Sequence, residues 1–313
     1  MAVSVAEYLG VDIRSGKNII PQLGGKGSSV PCPFRNGHCD KIAKGNKPIC
    51  SVRDGSDVLW IVCPHRLCAS SPKDAPLNSY QVDVLQSIGE TIWGIEIDKS
   101  DIAVRREAPV RTIGRPNSYA DFVMVPTPKL KSRMKDDEFR PVVLEMQGGG
   151  ETNNTGALTE IVGAWELEPD SASNLTTLSQ LVKEVGTIEA NAWRRQQEQF
   201  LYKGNVAVNS SGRLVFAVGS KLFDYLLRNL ADTNIQDLRG ANWTLALIGI
   251  SEDLKNSVGS FGTADSVRLK IDDSKLLFTS YSKFVNALIN QGGSDDLLFK
   301  GNFLQLDGVH LTI

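Results

Sequence analysis

Five cysteines crowd between positions 32 and 68 of a 313-residue chain, and no other cysteine occurs in it. They lie in or beside a stretch, residues 14–57, that is dense in Gly, Pro, Ser and Asn and has no hydrophobic periodicity. A segment of that kind holds a shape only if something pins it. Cys32, Cys39, Cys50 and Cys63 are separated by 6, 10 and 12 residues. Four thiolates bind zinc or iron tetrahedrally, and such a closed site can order a loop-rich segment outright. The tight C-x-x-C pairs of common zinc ribbons are missing. Cys68, five positions after Cys63, is an alternative partner, and His38 and His65 stand beside cysteines and are further candidate ligands. Four buried free thiols, or a redox or iron–sulfur role, are the competing readings.

Hydrophobic residues make up 41% and charged residues 22% of the chain, so a disordered tail, a coiled coil and a collagen-like repeat are excluded. The N-terminus lacks the basic start and apolar run of a secretion signal, and no apolar stretch approaches the roughly 20 residues of a membrane span. The expectation is a cytoplasmic protein without a membrane partner, where clustered cysteines are more often metal ligands than disulfides. The net charge of −2 announces no nucleic acid globally. Its distribution is uneven: residues 1–80 and 105–145 are mildly basic and residues 81–104 acidic.

From residue 79 strands and helices alternate. Helical spacing marks Val82, Leu85 and Ile88. Strands are expected at 58–62, 92–97, 102–106, 119–125, 141–147, 213–219 and 243–250, and helices at 158–165, 187–202, 221–230 and 284–289. This predicts an α/β (α+β) chain with a mixed sheet, divided into an N-terminal four-cysteine metal-binding module, residues 1–78, and a core, residues 79–313.

Two of the strands carry acids. Asp121 lies in SYADFVMV and Glu145 in PVVLEMQ, with Gln147 two positions on. Residues i and i+2 of a strand share a face, so Glu145 and Gln147 project together. If the two strands pair, Asp121 joins them. Two converging carboxylates repel unless a cation lies between them, and a hard ion such as Mg²⁺ takes oxygen ligands of this kind. The pattern D…ExQ is a degenerate form of D…(D/E)xK, with Gln at the usual Lys position. The bland alternative is a pair of strand-end acids in surface salt bridges. No GxxxxGK[ST] phosphate fingerprint supports a metabolic α/β enzyme instead.

Taken together, CPF at 32–34, ICSV at 49–52, DVLWIVCPHR at 57–66, SYADFVMVPTPKLK at 118–131, VVLEMQ at 142–147, NAWRRQQEQFLYK at 191–203 and VFAVGSKLFDYLLRNL at 215–230 resemble the NotI-like type II restriction endonucleases of the PD-(D/E)xK superfamily. The similarity runs in order through about two-thirds of the chain and is weak over the last 60 residues. It implies a PD-(D/E)xK nuclease core, a central mixed sheet flanked by helices. It also implies a homodimer that uses Mg²⁺ to hydrolyse phosphodiesters of double-stranded DNA at a GC-rich palindrome, with a cognate DNA methyltransferase in the same system. Cys32, Cys39, Cys50 and Cys63 would hold one structural Fe or Zn, leaving Cys68 a spare thiol. Asp121, Glu145 and Gln147 map onto catalytic positions, with the two acids holding Mg²⁺. One further acid is expected upstream: Asp101 fits best by the alternation that follows it, with Glu107 and Glu90 as alternatives. Arg35, Lys47, Arg194, Arg195 and Lys203 are the candidate DNA contacts, because Arg and Lys donors read guanine edges and phosphates. A structure-specific repair nuclease, or a non-catalytic metal-bound DNA-binding protein, would share the cysteines.

Overall fold

The computed structural model describes residues 2–22, 26–68, 76–111, 118–135, 140–149, 152–168, 177–186, 189–230, 234–289, 300–307 and 309–312; the side chains of 189–191 and 195 lie outside that description. Two sheets carry the fold. The first is built by β1 (Ala2–Tyr8), β2 (Val11–Asp12), β3 (Ile49–Asp54) and β4 (Leu59–Ile61) in the order β2-β1-β3-β4. A short helix, α1 (Asp40–Ala43), lies between β2 and β3.

Helix α2 (Ser79–Trp93) opens with a capping box: Asn78 Oδ1 accepts from the Gln81 amide, and Gln81 Oε1 accepts from the Asn78 amide. It then buries Val84, Leu85, Ile88 and Ile92 along one stripe. The expected strand at 92–97 does not form. The helix runs to Trp93 and stops at Gly94, whose φ of +67° suits a residue without a Cβ.

Three antiparallel strands follow: β5 (Ile102–Val110), β6 (Ser118–Pro126) and β7 (Val142–Gln147), with α3 (Pro128–Lys131) between the last two. After α4 (Thr155–Leu167), β8 (Val182–Gly186) and α5 (Glu189–Asn209), the chain enters β9 (Arg213–Gly219), parallel to β7. Helix α6 (Ser220–Arg228), β10 (Leu245–Glu252), β11 (Leu269–Thr279) and α7 (Tyr281–Ile289) complete a six-stranded sheet, order β11-β10-β9-β7-β6-β5. A separate hairpin, β12 (Asn302–Leu304) and β13 (His310–Thr312), is exposed throughout.

The fold is thus mixed α/β with mixed sheets and helices. Alternation divides the large sheet: Val142, Leu144 and Met146 of β7 face α2 and the cysteine region, while Val143 faces the helices α5, α6 and α7. Trp193 and Phe200 of α5 form part of that second core, with ring centroids 5.4 Å apart. No helix among the described residues is long and apolar enough to cross a membrane.

Packing crosses the sequence division between residues 78 and 79. Strand β8 adds to β1, Ile61 of β4 bridges Gly149 just past β7, and the cysteines share one apolar cluster with α2 and the large sheet. A fully buried ion pair links the two parts: Arg66 Nε donates to Glu7 at 2.9 Å and its Nη1 to the Tyr80 hydroxyl of α2 at 2.6 Å, while Glu7 also accepts from the Val267 amide.

Candidate functional site

The four cysteines expected to act together line one cavity of about 230 Å³, with Asp40, Lys41 and His65 also on its wall. All four are buried and unbridged. Strand β3 delivers Cys50, the segment after β4 delivers Cys63, and Cys32 and Cys39 come from the turn-rich stretch before α1. That stretch is pinned partly by packing, since Phe34 and Ile42 are fully buried. The contact between the Cys50 and Cys63 thiols holds Cys63 below the ordinary thiol value and pushes Cys50 up. Burial raises Cys32 to about 11, with the Cys63 and Cys39 thiols adding to the rise. His65 Nε2 pairs with Asp40 Oδ2 at 2.9 Å, while His38 turns to Ser29. Soft sulfur donors sharing one cavity match the chemistry of zinc and iron. Among the described residues, no three His, Cys, Asp or Glu side chains stand as a ready-made ligand group, so the fit is one of donor type and shared cavity. Cys68 is separate: it is fully buried against α2, its sulfur near the Gln81 carbonyl, and burial pushes its thiol well up.

The acids meet at the other cluster. The β6–β7 ladder ends at Phe122↔Leu144, so Asp121 and Glu145 are the next opposed pair, where the strands part. There Asp121 Oδ2 accepts the Met146 amide at 2.9 Å, which brings its carboxylate beside Glu145. Glu145 is 4% exposed; its Oε2 accepts from Lys203 Nζ of α5 at 2.6 Å, and its Oε1 is buried with no hydrogen-bond partner. Lys203 also donates to Gln199 Oε1 at 2.9 Å. Gln147 projects on the same side as Glu145, and its Oε1 accepts from Gln196 Nε2 at 2.9 Å. Helix α5 therefore presents Gln196, Gln199 and Lys203, spaced i, i+3 and i+7, to the acid-bearing strand.

Burial, then the charge of Asp121, pushes Glu145 up to about 8 against the opposing pull of Lys203. Asp121 is raised too, by burial and by the charge of Glu107, while the Met146 amide and Lys203 hold it down. Buried carboxylates this close together favour a neighbouring cation, and Lys203 supplies one.

Asp101 is not part of this group. Strand β5 pairs Ile102 with Pro126, so Asp101 lies six residues from the position opposite Asp121, roughly 20 Å along the strand. It is buried in ion pairs with Lys129 at 3.1 Å and Arg133 at 2.8 Å. Glu90 sits near that same end, accepting from the Ile97 amide. The upstream acid beside Asp121 is Glu107. It falls between the pairs Arg106↔Phe122 and Ala108↔Ala120, at φ +43°, a left-handed conformation that residues with a Cβ rarely adopt.

The candidate DNA contacts separate. Lys203 is 1% exposed and turned inward to Glu145, so it is not one of the surface cations that line a duplex. Arg35 is buried and spent on the His38 carbonyl and Asp40, and Lys47 pairs with Glu166 of α4. Arg194 is exposed on α5, and the Arg195 side chain lies outside the described residues.

No family model matches the chain, and no curated protein matches it.

Proposed function

We propose that the chain is a Mg²⁺-dependent endonuclease of the PD-(D/E)xK kind, acting on double-stranded DNA as a NotI-like type II restriction enzyme. The observation that carries this reading is the convergence of Asp121 and Glu145 from adjacent strands, with Glu145 Oε1 buried and unpartnered. A mixed sheet flanked by helices, with the cysteine cluster packed against the acid-bearing strands, is the arrangement the resemblance implies.

Asp121 and Glu145 would hold Mg²⁺, with Glu107 the nearest further carboxylate. Bound there, the ion would supply Lewis-acid stabilisation of the scissile phosphate and a more acidic water. Gln147 carries no charge, but its amide group donates and accepts, and Gln196 fixes its orientation. Its role is to align the attacking water. Cys32, Cys39, Cys50 and Cys63 would hold Fe or Zn as a structural ion. A palindromic target requires two such sites facing two strands, hence a homodimer. A partner methyltransferase would protect the host site.

The test is incubation with plasmid and phage DNA in Mg²⁺. Discrete, reproducible fragments are expected. A smear would favour a structure-specific nuclease, and intact DNA that is nevertheless bound would favour a non-catalytic binding protein.

A further inference from the structure

The motif has Gln147 where a lysine is usual, so the third position of the acid cluster brings no positive charge. We propose that Lys203 of α5 is the active-site cation of this chain, contacting the scissile phosphate from the helix rather than from the strand. This rests on the nuclease reading above.

Four observations converge on Lys203. Its ammonium is 2.6 Å from Glu145 Oε2, within the immediate surroundings of the carboxylate that would hold the metal. It is 1% exposed, so its charge acts in a medium far less screening than water. An ammonium has three N–H donors. Among the described residues two acceptors meet it, Glu145 Oε2 and Gln199 Oε1, which leaves one N–H for an incoming phosphate oxygen. Gln147 and Lys203 also lie along one row: Gln147 meets Gln196, and Gln199, one turn further along α5, meets Lys203. A lysine at 147 would enter the same cluster from the strand.

Relocation of the charge is the decisive experiment. In K203Q the single-turnover cleavage rate should fall about 100-fold or more, as when one preorganised transition-state donor is removed. Duplex affinity measured in Ca²⁺ should stay within about threefold of wild type, because the buried ammonium adds little to ground-state binding. The double variant K203Q/Q147K should recover at least about tenfold of the lost rate. Should K203Q fail to fold, K203M keeps most of the packed stem without the charge; cleavage should still slow, and Q147K should restore it. A wild-type rate in K203Q or K203M, or a slow variant that Q147K does not improve, overturns the proposal. Mn²⁺ titration by calorimetry reads the placement without cleavage: K203Q should bind Mn²⁺ several-fold more tightly, because a competing cation is gone. Unchanged Mn²⁺ affinity overturns the placement even if no DNA is cut, whereas tighter binding with no DNA cutting by wild type would sink the nuclease reading and keep Lys203 at the cation site.

Discussion

Lys203 and Glu145 form a buried ion pair at 2.6 Å between a helix and a strand 58 residues apart in sequence. Neither partner has solvent to fall back on, so removing one leaves a buried charge uncompensated.

Glu145→Ala should therefore fail twice. It should still bind duplex DNA but not cut it. It should also lose about 3–5 kcal/mol of stability, the usual cost of breaking a buried pair from one side. Glu145→Gln, which keeps a hydrogen-bond acceptor for Lys203, should be equally inactive yet more stable than Glu145→Ala. Urea unfolding of the two variants checks this; equal midpoints would contradict the pairing, and cleavage by either in Mg²⁺ would remove Glu145 from the catalytic assignment.

The cysteines should divide four to one. Freshly purified protein should carry about one Fe or Zn ion per chain, and Ser at 32, 39, 50 or 63 should each lower metal content and thermal stability. Cys68→Ser should leave metal content unchanged. A metal content below about half an ion per chain in the parent protein would count against the four-thiolate site.

Asp54 sets an acid limit on the fold. Burial alone would raise its carboxyl, but hydrogen bonds from Trp60 Nε1 and the Val58 and Ser56 amides, with Lys221 nearby, hold it below the ordinary value. A depressed carboxyl stabilises the native state above its unfolded pKa, near 4, and that contribution disappears as pH falls through the lower folded value. Asp54→Asn should be about 1–3 kcal/mol less stable at pH 7, and the gap should narrow as pH drops below about 4. A gap independent of pH between 7 and 2 would refute this account.

Gly148 lies directly after Gln147, and a Cβ there would come 2.4 Å from the Ile61 carbonyl oxygen, a backbone atom with little room to yield. Gly148→Ala should cost about 1–3 kcal/mol by overpacking and should also slow cleavage, because the strain falls at the end of the strand that bears Glu145 and Gln147. A variant with parental melting temperature and parental cleavage rate would show that the two strands separate freely.

Much of the core was legible because its strands are short apolar runs: β6, β7, β9 and β10 stand within a few residues of their expected positions, and Asp121 meets Glu145 as the pairing required. Strand β11 was not legible. Its sequence, LKIDDSKLLFT, is largely polar, as suits an edge strand partly in solvent. Strand β3 was hidden inside a stretch read as loop, since ICSVRD buries Arg53 and Asp54 through partners far away in sequence or across a turn. Alternation ranked Asp101 above Glu107 because it assumes a regular strand; Glu107 at φ +43° breaks that alternation and is the one that stands opposite Asp121. Lys203 carried a signal that went unused. With Trp193, Phe200 and Ala207 it falls on the apolar stripe of α5, and a lysine on such a stripe needs a buried counter-charge.

The bridge between Ile61 and Gly149 has a consequence for how the chain comes apart. Cys63 lies two residues beyond one end of it and Gln147 two residues before the other. With β8 completing the sheet of β1, the first 78 residues own neither a closed sheet nor a core of their own. Melting should then be a single cooperative event, and a fragment starting at residue 79 should be an insoluble remnant, not a smaller folded protein. If Cys32, Cys39, Cys50 and Cys63 hold an ion as proposed, stripping it should slacken the strand that carries Glu145 before it unfolds anything else.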